Sequence, residues 1–180
     1  MSTKAETIVT DRKSIVELWC NSNGYPDYMI RFFSDIAEYA AFVCGEGRGW
    51  LSNPEDVASV IISFDWLWRI GYPVYDPRLV EECYLKGDIR PRGSIFDLEY
   101  FYVLDVSSAG KGYWGLSCYE FHGYITAKYM QALRKRAARM QDLPSNIFTH
   151  VGYYKLELNP NIPDILKPII AIQILADNIK

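Results

Sequence analysis

Apolar and polar positions follow two different periods along this chain, and each change of period marks a boundary between elements. β-Branched residues crowd Thr7 to Cys20 in two runs, TIVT and SIVELWC, parted by Asp11-Arg12-Lys13, which predicts a short hairpin or one broken strand. From Tyr28 to Cys44 the spacing turns helical. Met29, Ile30, Phe32, Phe33, Ile36, Ala40 and Val43 recur near one side, while Arg31, Asp35 and Glu38 fall on the other. Pro26 suits the first turn, where its missing N–H would have no helical partner anyway. GEGRGW (45–50) then stops the helix, and Ser52-Asn53-Pro54-Glu55-Asp56 supplies cap, proline and acidic first turn for a second, running to about Trp68. That helix is apolar on most sides, so it is expected to be central or to sit at an interface.

Gly71 to Pro77 reads as a loop rich in Tyr and Pro. Beyond it, LVEECYL and IFDLEYFYVLDV look like strands paired around the turn KGDIRPRG, and a third strand, Tyr113 to Phe121, continues the meander after the glycine turn SSAGKG. Ile125 to Gln141 is helical, and Phe148 to Leu158 is strand-like. Pro163 to Lys180 has helical spacing, but Pro168 interrupts it and IIAIQIL is β-branched, so a terminal strand after Pro168 is the alternative. The whole chain, 1–180, is expected to form one α+β domain in which a largely antiparallel sheet packs against three to four helices.

Composition agrees with a compact domain, since 49% of the 180 residues are hydrophobic and 15% aromatic. A formal net charge of -3 provides no global basic field, so any binding of phosphate or nucleic acid must be local. Cysteines 20, 44, 83 and 118 stand far apart, without metal-ligand spacing or a C-x-x-C pair. The opening MSTKAETIVTDRK has no apolar core of the kind a signal peptide needs, and no stretch approaches the length of a membrane span. A cytoplasmic protein with reduced thiols and no cofactor is the expectation.

Candidate chemistry is sparse. Glu120 and His122 lie two apart at a strand end, and His150 is available from another strand. Together they could bind a metal, or Glu120 could tune His122 as a general base; the alternative is two ordinary surface histidines. Arg90 and Arg92 in KGDIRPRG are candidate anion holders, or merely solvated turn charges. The basic helix segment 128–139, with Lys128, Arg134, Lys135, Arg136 and Arg139, is either a solvated surface or a local nucleic-acid contact. Tyr72 and Tyr75 follow Trp66 and Trp68, rings favoured where a surface is both apolar and wet, though an aromatic core explains them equally. GEGRGW lacks phosphate-loop spacing and is read as a helix stop.

Trp19 and Gly24-Tyr25-Pro26, followed by a helix and then Gly47-Arg48-Gly49-Trp50, resemble a group of small uncharacterised proteins of bacteria, archaea and their viruses. In those a strand ends in a Tyr-Arg-His-Trp-Asp-Gly-Tyr-Pro-like string. Cys20, Asn21, Ser22 and Asn23 stand here in place of its Arg, His, Trp and Asp. The resemblance covers the first quarter of the chain and implies a strand, loop and helix in a small intracellular protein, viral or carried by a mobile element. Asn21 and Tyr25 become binding candidates on that basis. The favoured reading is a non-catalytic binding protein that self-associates and engages a host protein or a small phosphorylated ligand. The rivals are a phosphoester-directed enzyme built on Glu120, His122 and His150, and nucleic-acid binding through the basic helix.

Overall fold

The computed structural model describes residues 3–20, 23–44, 48–70, 89–90, 98–123 and 125–159. Its core is one six-stranded mixed sheet, with strands β1 (Lys4–Thr10), β2 (Ile15–Cys20), β3 (Ile89–Arg90), β4 (Leu98–Asp105), β5 (Tyr113–Phe121) and β6 (Phe148–Glu157) in the order β3-β2-β1-β4-β5-β6. Every pairing is antiparallel except the central one, in which β1 and β4 run parallel. Helices α1 (Pro26–Cys44) and α2 (Pro54–Ile70) cover one face, and α3 (Ala127–Ala138) covers part of the other. The arrangement is α+β, as the alternation of periods predicts.

Local chemistry explains most boundaries. The β1–β2 turn is held by Asp11, whose Oδ1 accepts from the Lys13 and Ser14 amides at 2.9 and 2.7 Å. Asn53 starts α2, its Oδ1 accepting from the Glu55 amide at 2.9 Å. Thr126 does the same for α3 by accepting from the Tyr129 amide. On the α1/α2 face, Phe32, Phe33, Ile36, Val57, Ile61 and Phe64 pack on Val9, Leu18, Leu104 and Leu116. A smaller core on the other face joins Met130, Leu133 and Ala137 of α3 to Ile8, Trp19, Phe101, Val103 and Phe148. Trp114 is fully buried and donates from Nε1 to the Leu51 carbonyl at 2.9 Å, tying the linker between α1 and α2 to the sheet.

Two expectations are corrected. Ile89–Arg90, read as part of a turn, is a strand that pairs with Trp19 and Cys20. Both edges of β4 are taken, by β1 and β5, so β4 does not belong to the expected simple meander around KGDIRPRG. Lying between the α1/α2 layer and α3, the paired β1 and β4 are buried along most of their length. The segments 79–85 and 163–180 lie outside the described residues. Among the described residues no helix is long and apolar enough to cross a membrane.

Candidate functional site

The histidines approach one strand end from opposite sides. β5 and β6 pair with Glu120 opposite Thr149 and Tyr119 opposite His150, after a register shift between Cys118 and Tyr119. His122 Nε2 lies 2.9 Å from Thr149 Oγ1 and 3.8 Å from Glu120 Oε2, so these three share one face. The His150 ring instead rests against Tyr119, centroids 5.0 Å apart, on the face that carries α3. Adjacent strand residues point to opposite faces, so the sheet itself separates His122 from His150. Glu120 and Thr149 moreover meet the same ring nitrogen of His122. A base that relays a proton needs an acceptor at one nitrogen and the reacting hydroxyl at the other. With His122 and Glu120 both about half exposed, this cluster has neither relay geometry nor a dry environment. Among the described residues no group of three or more His, Cys, Asp or Glu is placed to hold a metal ion.

The loop before α1 divides its residues between packing and surface. A Cβ on Gly24 would lie 2.5 Å from Ala5 Cβ and 2.8 Å from the Ala5 amide nitrogen, so only glycine lets the loop press against β1. The Gly24 amide donates to the Thr3 carbonyl at 2.9 Å, and its own carbonyl accepts from the buried Tyr102 hydroxyl at 2.8 Å. Pro26 opens α1. Tyr25 is 44% exposed with its ring near Tyr28, and remains available for contact. Asn21, Tyr72, Tyr75, Arg92 and the side chain of Arg90 lie outside the described residues.

The basic helix is resolved into two groups. Arg134 turns inward, and its guanidinium donates from Nε and Nη2 to the two carboxylate oxygens of Glu6, which is 1% exposed, while Nη1 reaches Glu17 at 3.1 Å. Burial pushes the Glu6 carboxyl above its ordinary range, and the bond from Arg134 opposes that shift without cancelling it. Arg134 therefore belongs to the fold, in contrast to its reading as a solvated or nucleic-acid-facing charge. Lys128, Lys135, Arg136 and Arg139 remain exposed. At 3.6 residues per turn, Lys128, Lys135 and Arg139 fall within roughly 40° of one line and span about 16 Å.

Charge is segregated between the layers. α1 carries Asp27, Asp35 and Glu38 against Arg31, and α2 carries Glu55, Asp56 and Asp65 against Arg69. α3 carries Lys128, Arg134, Lys135 and Arg136 and no acid at all. The outward surface of α3 is thus basic in a chain whose net charge is -3, while the sheet beside it carries acids as well, Glu17, Asp105 and Glu157 among them. Beside α3 on the same sheet face stand Tyr153, Tyr113, Lys155 and Arg12, which the sequence offered no reason to group. No family model, no curated protein and no solved structure matches the chain.

Proposed function

We propose that the protein is a binding protein without catalytic chemistry of its own, and that it holds a nucleic-acid phosphate backbone against the outward face of α3. The observation that carries this reading is the stripe of Lys128, Lys135 and Arg139, flanked by Arg136, on a helix without acids. Its length suits two or three successive phosphates. Tyr129, 44% exposed, is the one large apolar side chain among the exposed residues of this helix. A protein partner would favour a central cluster of apolar and aromatic anchors, which that face lacks. The exposed, same-nitrogen contacts of His122 favour the binding reading over the phosphoester-directed enzyme.

Fluorescence anisotropy with a labelled 20-base-pair DNA duplex tests the reading. Binding is expected at 50 mM salt, weakening with a log–log slope between about -2 and -3 for two or three phosphates neutralised. Replacing Lys128, Lys135 and Arg139 together by Gln is expected to abolish most of that salt dependence. Absence of binding at 50 mM salt, or a triple variant that binds like the parent, would sink it.

A further inference from the structure

Beyond α3, the same sheet face carries a second group at the opposite end of the strands. Tyr153 pairs with Ser117, which in turn pairs with Val103, and so shares the side on which α3 packs. Its ring lies across Gly115. A Cβ there would come within 2.6 Å of the Tyr153 hydroxyl and 3.1 Å of its ring, so the glycine is what lets the ring settle on the sheet. Tyr153 is nevertheless 54% exposed, the most exposed of the large hydrophobic side chains among the described residues.

The register partners of Gly115, which the Tyr153 ring covers, are Lys155 on β6 and, on β4, Asp105, the carboxylate that holds Arg12. Lys155 Nζ sits 4.6 Å from the centroid of the half-buried Tyr113 ring. Arg12 is anchored by Nε and Nη2 to one oxygen of Asp105, at 3.0 and 2.7 Å, and its side chain is still 54% exposed. Lys155 pairs with Glu157, both half exposed, and an exposed pair of that kind contributes little to stability. The strand rise puts Tyr153 roughly 10 Å along β6 from His150, whose ring is itself exposed beside Tyr119.

An exposed aromatic ring with two cations as neighbours, on the sheet face that bears the basic helix, is a combination that binds unpaired bases. The ring takes a base face and the cations take the flanking phosphates. We infer that Tyr153, with Arg12 and Lys155, is a stacking site for one base of a single-stranded nucleic acid whose backbone continues over α3. The inference rests on the proposed function and adds the strandedness of the partner. A duplex keeps its base faces covered and can use only the α3 phosphate contacts.

The test compares a labelled 20-nucleotide dT strand with the 20-base-pair duplex, using the full chain at 50 mM salt. The parent is expected to prefer the single strand. Tyr153→Ala is expected to weaken single-strand binding about ten-fold or more while leaving duplex binding unchanged, and Tyr153→Phe to bind like the parent because stacking needs the ring and not the hydroxyl. An unchanged melting temperature establishes that each variant is folded. Equal affinity for both probes with no effect of Tyr153→Ala overturns the stacking site and leaves the α3 reading standing. Failure of both probes to bind overturns the two together. Loss of single-strand binding in Tyr153→Ala alongside an unaffected Lys128, Lys135 and Arg139 variant overturns the helix reading and, with it, the path of the strand over α3.

Discussion

Arg134 reaches from α3 across the sheet surface to grip Glu6, a carboxylate buried in the parallel strand at the centre of the fold. The contact joins the helix on one face to the strand that organises both. Its neighbours Lys135 and Arg136 point to solvent instead, so one run of three basic residues combines a structural charge with two available ones.

Removing one partner of this pair is therefore expected to be costly. Arg134→Ala leaves the Glu6 carboxylate buried and uncompensated, a change that costs roughly 3–5 kcal/mol. Lys135→Ala should stay within about 0.5 kcal/mol of the parent. Urea unfolding of both variants checks this, and the paired replacement Glu6→Leu with Arg134→Met should recover most of the loss. Equal midpoints for Arg134→Ala and Lys135→Ala would contradict the assignment.

Gly24 is expected to tolerate no side chain. Alanine there must displace backbone atoms of Ala5 and Thr3 as well as the Ala5 methyl, so about 1–3 kcal/mol of stability should be lost, with a matching fall in melting temperature. Ala5→Gly should fail to restore it, since the amide nitrogen at 2.8 Å remains in the way. A Gly24→Ala protein as stable as the parent would show that the loop can lift off β1.

The β1–β2 turn should weaken in acid. Hydrogen bonds from the Ser14 and Lys13 amides hold the Asp11 carboxyl below its ordinary 3.8. Between the folded and unfolded values the unfolded chain binds more protons, so this contribution is complete above about pH 4 and is lost as the pH falls through the lower, folded value. Asp11→Asn keeps an acceptor but cannot titrate, and should lose less stability than the parent between pH 6 and pH 3. An identical loss in the two proteins would rule the mechanism out.

The Cys118 thiol should be inert in the native state. Burial pushes it up to about 11, the hydrogen bond with Tyr102 opposing that only in part, and the residue is fully buried. At pH 8 only on the order of one thiol in a thousand is ionised. Iodoacetamide followed by peptide mass spectrometry should find Cys118 unmodified until urea is added. The folded value lies above the ordinary 9.0, so the stability that the protonated thiol contributes should decline as pH rises from 9 towards 11. Rapid native labelling would contradict this placement.

Elements written in local periodicity were legible. The hairpin around Asp11, the helices from Pro26 and from Pro54 with its Asn53 cap, the helix after Thr126, and the strands ending at Phe121 and beginning at Phe148 all follow from neighbours within a few residues. Helical and strand periods need no knowledge of the rest of the chain.

What required the tertiary structure was every relationship between distant segments. The parallel pairing of β1 with β4 and the pairing of Ile89–Arg90 with β2 depend on which edges remain unfilled, and no local pattern records that. A register shift beside Tyr119 helps to determine which face His150 joins, and a slip of one residue turns a side chain to the opposite face. Sequence thus supplied two histidines and a carboxylate, and the pleat of the sheet kept them from forming one site. In the basic run 134–136 the residues carry the same charge, and only the angle at which α3 meets the sheet decides that Arg134 is enclosed while its neighbours face outward.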